Sequence, residues 1–198
     1  VREHSAGMVY HDYNHPDKLH ISDTWSFQMD AEVFHPIRDI LMPRIKAQWG
    51  ENIVINQSHV LESYLPYGIH TDVLAGNFDP NGPYTAAWTF IIPLDDYDTH
   101  TVVFNEQDEV CKSVGEWFNT RGIKPYDPPR ITEEQYQKYF SHILRSDLDY
   151  LSIEDIFRWK KGSVFAADRR KFHTSDNYIG NGINGKRAII IWSGFLKD

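Results

Sequence analysis

The chain has 198 residues, 41% hydrophobic and 24% charged, a composition that fits a folded globular domain long enough to bury a core. Twenty Lys and Arg against 28 Asp and Glu give a formal charge of −8, which makes intact nucleic acid an unlikely partner. One cysteine, Cys111, excludes an internal disulfide and a zinc site of several thiolates.

The first thirty residues are polar, with short strands expected at Gly7–Tyr10 and Thr24–Phe27. Val33, Ile37, Ile40, Leu41, Ile45 and Trp49 then recur at helical spacing, with Pro36 and Pro43 predicting a late start or a kink and Gly50 a stop. From Asn52 the texture is β: Ile53–Tyr64, Tyr84–Pro93 and Thr99–Phe104 read as strands, with a loop at Gly76–Pro83. Residues 105–150 interrupt this run as an insertion. Within it, Val110–Phe118 suggests a short helix. Thr132-Glu133-Glu134-Gln135 is a capping box with Ile131 and Tyr136 at the staple positions, predicting a helix over about 133–144. Ile153–Trp159 reads as a helical turn, and strands are expected at Ser163–Ala167 and Arg187–Phe195.

Helix, strands, inserted helices and strands again predict one mainly β domain over 1–198 with flanking helices, a sandwich or barrel. The apolar runs Ala86–Leu94 and Ala188–Trp192 are far shorter than a bilayer span, and Val1-Arg2-Glu3-His4 does not read as a signal peptide. With the lone cysteine, the expectation is an intracellular, cytoplasmic protein without a membrane partner. Oligomeric state is not legible.

The chemistry concentrates at Tyr64-Leu65-Pro66-Tyr67-Gly68-Ile69-His70-Thr71-Asp72. In an extended segment His70 and Asp72 point to one side, and an imidazole with a carboxylate suits Fe(II), Mn or Zn. The spacing alone is weak, since His15-Pro16-Asp17 repeats it in the polar N-terminal region. A third ligand has to come from elsewhere, and spacing leaves His59 and His100 open. His173 is distinguished by context, because it follows the turn and apolar strand Trp159-Lys160-Lys161-Gly162-Ser163-Val164-Phe165-Ala166-Ala167-Asp168 and opens a polar loop. Arg187 heads the apolar strand Arg187-Ala188-Ile189-Ile190-Ile191-Trp192, where a cation needs an anion unless it faces solvent.

His70-x-Asp72, then His173, then Arg187 together resemble the Fe(II)/2-oxoglutarate-dependent dioxygenases. The approach Tyr64-x-x-Tyr67-Gly68-x-His70-x-Asp72 is similar to their prolyl-hydroxylase-like branch. Trp159-x-x-Gly162-Ser163-Val164-Phe165, followed by Phe172-His173, is similar to the stretch that leads to the distal histidine. The likeness covers about residues 53–104 and 153–195. It implies a double-stranded β-helix, the jelly-roll core of cupin type, with His70, Asp72 and His173 on Fe(II). It further implies Arg187 on the distal carboxylate of 2-oxoglutarate, with Tyr64 and Thr89 as further donors to the keto acid. Should Arg187 not serve, Lys186 or Arg170 is the next cation.

The implied reaction consumes oxygen and 2-oxoglutarate, releases succinate and CO2, and hydroxylates an unactivated C–H bond of a small-molecule or peptide substrate, with ascorbate as a candidate reductant. The Asp72 carboxylate fills the position that halogenating relatives leave to chloride. A non-oxidative metal cupin enzyme and a metal-free jelly-roll binding protein are the alternative readings. In the insertion, Trp117, Phe118 and Tyr126 are candidate substrate contacts, and Trp117–Tyr126 a candidate lid over the metal.

Overall fold

The computed structural model describes residues 9–14, 20–27, 35–73, 79, 81–110 and 113–197, with side chains from residue 35 on, His59 excepted. In chain order the strands are β1 (Val9–Asn14), β2 (His20–Phe27), β3 (Ile53–Ser63), β4 (Tyr84–Pro93), β5 (His100–Gln107), β6 (Ile153–Arg158), β7 (Phe165–Asp168), β8 (Lys171–Ser175) and β9 (Lys186–Leu196). The helices are α1 (His35–Trp49), α2 (Val114–Arg121), α3 (Glu133–Gln135), which runs into a π turn at Tyr136–Phe140, and α4 (Arg145–Leu148).

The strands form two antiparallel sheets. The larger has the order β1-β2-β3-β9-β4-β7 and the smaller β6-β5-β8. Residues 67–72 extend the smaller sheet along β8. His70 and His173 exchange both backbone hydrogen bonds, at 3.1 and 2.9 Å, and the Asp72 amide donates to the Arg169 carbonyl at 2.9 Å. The chain thus passes between the sheets from β3 to 67–72, β4, β5, and later from β7 to β8 to β9, which is jelly-roll-like connectivity.

Strand parity sorts three apolar clusters. On the outer face of the larger sheet Val60, Phe90, Ile189 and Ile191 meet Ile37, Leu41, Ile45 and Trp49 of α1. Between the sheets lie Ile91, Val103, Trp159, Phe165, Ala188 and Ile190. On the outer face of the smaller sheet Val102, Phe104 and Phe172 pack against Trp117, Ile131, Tyr139, Phe140 and Leu148 of the insertion.

Several expectations need adjustment. The helix α1 runs through Pro43, and Pro36 falls in its first turn, where no amide partner is required. Gly50 ends it at φ 97°, its amide reaching the Lys46 carbonyl at 2.8 Å. Residues 153–158 form strand β6, not a helical turn. Ile153, Ile156 and Phe157 have helical spacing, but pairing with β5 overrides it. The capping box forms, Gln135 N to Thr132 Oγ1 at 3.2 Å and Thr132 N to Gln135 Oε1 at 2.9 Å. The helix it starts soon widens into the π turn, which carries adjacent Tyr139 and Phe140 both into the core. The two N-terminal strands are longer than expected, and Gly7, Met8 and His15-Pro16-Asp17 lie outside the described residues.

Candidate metal centre

Three side chains converge at one end of the inter-sheet space. His70 and Asp72 project from the 67–72 strip on one side, as residues two apart must in extended chain. His173 lies in β8, not at the opening of a loop, directly opposite His70 in a narrow pair, so both imidazoles share a face with ring centroids 4.4 Å apart. Asp72 Oδ1 is 3.9 Å from His70 Nε2, and Asp72 Oδ2 is 3.5 Å from His173 Nε2. Two metal–ligand bonds of about 2.0–2.2 Å span such separations. One ligand atom from each residue lies within 4.8 Å of the other two, so the donor set fits a divalent ion held on one face.

The surroundings prepare these groups for an ion. The His70 Nδ1 lies 2.7 Å from the Gly68 carbonyl, which turns Nε2 toward the cluster. Burial, reinforced by His173, lowers the His70 pKa to about 4, against Asp72 and the Gly68 backbone, so the ring is neutral and able to donate a lone pair near pH 7. Burial pushes the Asp72 carboxyl up, but His173, His70, the Thr89 hydroxyl and Arg169 together hold it below its usual range. Thr89 Oγ1 donates to Asp72 Oδ2 at 2.7 Å. From the other side Arg169, fully buried, donates through Nε to the Asp72 carbonyl at 2.9 Å and through Nη1 to the Ser193 carbonyl at 2.8 Å. Arg169 thereby locks the ligand strip to the end of β9.

The other candidates are placed differently from expectation. Arg187 shares the parity of Ile189 and Ile191, on the outer face of the larger sheet. Its Nε and Nη2 hold the two Asp95 carboxylate oxygens at 2.8 and 3.0 Å, so its fork is already occupied. The neighbouring Lys186 shares the parity of Ala188 and Ile190 and lies between the sheets, 4% exposed. Its ammonium sits 4.1 Å from the Trp159 ring centroid and 4.9 Å from that of Tyr178. Among the described residues no carboxylate reaches ion-pair distance of it. Burial lowers its pKa to about 7, with Asp176 opposing.

Tyr64 follows β3 at this same end, its ring 3.3 Å from where a Cβ on Gly185 would stand. Trp117 packs on Phe172 at 5.3 Å, Phe118 stacks on Tyr150 at 4.3 Å, and Tyr126 donates to Glu106 at 2.7 Å. These contacts set Trp117 and Phe118 in the outer cluster of the smaller sheet, not over the ligands. The part of the insertion beside the ligands is its start, where Ser113, the cap of α2, bridges to His70. Arg169, Tyr178 and His142 were not singled out as site residues from the sequence, and Lys186 stood only as the cation to fall back on after Arg187. Which of two adjacent strand cations faces the inter-sheet space is decided only once strand parity is known.

Comparison with protein-family models gives no match, and neither does sequence comparison with curated proteins. Solved structures do match. The epimerase SnoN, in a complex with Fe3+, alpha ketoglutarate and nogalamycin RO, is 13% identical with a TM-score of 0.55, covering 98% of this chain and 71% of its own. A 2OG-Fe(II) oxygenase family oxidoreductase from Burkholderia pseudomallei is 9% identical with a TM-score of 0.50, over 96% of this chain and 73% of its own. The alpha ketoglutarate dependent carbocyclase SnoK from nogalamycin biosynthesis is 12% identical with a TM-score of 0.50, over 94% and 68%. Likeness at this level of identity establishes architecture: the chain has the mainly antiparallel, jelly-roll-like fold of non-haem 2-oxoglutarate enzymes, with a His-Asp-His cluster set into it.

Proposed function

We propose that the protein is an Fe(II)- and 2-oxoglutarate-dependent oxygenase on a double-stranded β-helix core, hydroxylating an unactivated C–H bond of a small molecule. The observation that carries this reading is the pairing of the His70–Asp72–His173 cluster with an ammonium, Lys186, buried in the same inter-sheet space with no counter-ion among the described residues. A buried unpaired cation is costly unless an anion joins it. A metal-only isomerase would have no use for it.

When bound, Fe(II) and 2-oxoglutarate supply the oxygen activation and the decarboxylation to succinate and CO2. The chain's own residues hold and orient. His70, Asp72 and His173 would hold the ion. Lys186 receives the distal carboxylate, the role the sequence resemblance had given to Arg187. Thr89 acts through Asp72, fixing its rotamer, and is a positioning residue. Ile91, Val103, Trp159 and Ile190 wall the space and exclude water. The neighbouring epimerase SnoN is in complex with nogalamycin RO and the carbocyclase SnoK comes from nogalamycin biosynthesis, which supports a small-molecule substrate here. The test is uncoupled turnover: with Fe(II), oxygen and 2-oxoglutarate the protein forms succinate above background, and Asp72→Ala does not. Metal binding without any succinate would move the reading to a non-oxidative metal enzyme.

A further inference from the structure

The Lys186 end of the inter-sheet space holds more donors than the lysine. Tyr178, in the segment between β8 and β9, is fully buried, and its hydroxyl has no hydrogen-bond partner among the described residues. His142, carried by the insertion, has both ring nitrogens buried and out of hydrogen-bond geometry, although the Tyr67 backbone lies beside the ring. The three groups share one neighbourhood. Lys186 faces the Tyr178 ring, His142 lies close enough to feel Lys186 and Asp176, and Tyr178 feels Asp176 and Tyr67.

Asp176 does not satisfy any of them. Its carboxylate accepts from the His100 amide and the His100 Nδ1, both at 2.8 Å, and from the Thr99 hydroxyl. Its charge faces Lys186 without reaching it. Burying a polar group without a hydrogen-bond partner costs free energy, so a phenol and an imidazole without one among the described residues, beside an ammonium that meets only aromatic faces there, point to a ligand rather than to a packed core.

We infer that His142 and Tyr178 complete, with Lys186, a three-donor pocket for a carboxylate, so that the insertion itself helps to hold the co-substrate. The inference rests on the proposed function, in which that carboxylate is the distal end of 2-oxoglutarate. It makes His142 and Tyr178 binding residues. The inserted segment then does two things. Its start lies against His70 through Ser113, and its Tyr139–His142 turn closes the anion pocket. The turn is tied to the segment after β8, since the Asn177 amide donates to the Tyr139 carbonyl at 3.1 Å and the Asn177 side chain donates to Ser141 at 2.8 Å. A ligand gripped by Lys186, Tyr178 and His142 therefore bridges the barrel to the insertion.

The test is calorimetric binding to the Mn(II)-loaded full chain, without turnover, using three probes: 2-oxoglutarate, glutarate, which lacks the keto group, and pyruvate, which has the keto acid end but no distal carboxylate. Tyr178→Phe and His142→Phe should each weaken 2-oxoglutarate roughly tenfold or more, the effect of losing one hydrogen bond to a charged group, and leave pyruvate unchanged. Thermal denaturation of the ligand-free protein supplies a second readout. Removing an unsatisfied buried hydroxyl should leave the Tm of Tyr178→Phe equal to or above that of the parent chain, which a merely structural hydroxyl would not do. Equal weakening of 2-oxoglutarate and pyruvate, or no weakening of 2-oxoglutarate, overturns the inference. Failure of the parent chain to bind 2-oxoglutarate while glutarate binds in a Tyr178-dependent way overturns the proposed co-substrate and leaves the pocket standing. Failure of both anions overturns both.

Discussion

Lys186 and Arg187 are adjacent in β9 and face opposite sides of the larger sheet. Arg187 is held by Asp95 on the outer side, while Lys186 points between the sheets with two aromatic rings and, among the described residues, no carboxylate in reach. Alternation along a strand forces this division, and it decides which cation is available to an anionic ligand.

The first prediction separates the two. Lys186→Met should raise the dissociation constant for 2-oxoglutarate at least tenfold, whereas Arg187→Met should shift it by less than about twofold. Calorimetric titration of the Mn(II) protein reads both. A large effect of Arg187→Met with none for Lys186→Met would return the role to the arginine.

The strand parity behind that division was not legible in the sequence. The run Ala188-Ile189-Ile190-Ile191-Trp192 is apolar on both faces, because α1 covers one side and the smaller sheet the other. A strand buried on both sides loses the alternation that reveals its orientation. That His70 and Asp72 share a side was legible for the converse reason. His70 and Asp72 stand two apart in a short extended strip, so no long-range register was needed to put them on one side. Strands β3, β4, β5, β7 and β9 were also readable, from β-branched runs between turns. By contrast, β6 carries helical spacing and β8 is only five residues long with a polar end, so each is defined by its pairing with β5. The roles of His142 and Tyr178 depend on contacts between distant segments, and a single chain read in order carries no sign of them.

The pH dependence of co-substrate binding follows from Lys186. Its pKa is about 7 in the ligand-free fold against 10.5 in the open chain, so the fold disfavours its charged form. The folded chain therefore binds fewer protons than the unfolded chain between about pH 7 and 10.5, and through this group stability rises across that window. Binding of a dianion requires the charged form and takes up a proton. Affinity for 2-oxoglutarate should thus be greatest below about pH 7 and fall by up to tenfold per pH unit above it. In Lys186→Met this dependence should vanish, as titrations at pH 6.5, 7.5 and 8.5 would reveal.

At the metal, Thr89→Val keeps the shape and removes the hydroxyl that donates to Asp72 at 2.7 Å. Loss of such an outer partner typically weakens metal binding about 10-fold or more. The variant should bind Mn(II) in competition with a chelator by that factor more weakly, with one ion still bound per chain. Asp72→Ala and His173→Ala should abolish the stoichiometric site. Unaltered affinity in Thr89→Val would show that the packing around Asp72 is enough to fix its rotamer.

Trp117 tests whether the insertion acts as a lid through its aromatic residues or is anchored by them. Its side chain is 9% exposed and meets Phe172 at 5.3 Å in a cluster with Val102, Phe104, Ile131 and Phe140. Phe172 precedes His173, so this packing supports β8 from the side away from the His70–Asp72–His173 cluster. Replacing a buried Trp by Ala leaves a large cavity and costs about 3–5 kcal/mol. The predicted signature of Trp117→Ala is thus a loss of that size in denaturant unfolding. Metal and 2-oxoglutarate affinities should remain within about threefold at temperatures where the variant stays folded. A lid residue would behave in the opposite way, with stability nearly unchanged and succinate formation uncoupled from substrate oxidation. Phe118, stacked on Tyr150 at the edge of the same cluster, should follow Trp117 with a smaller loss, since it is only partly buried.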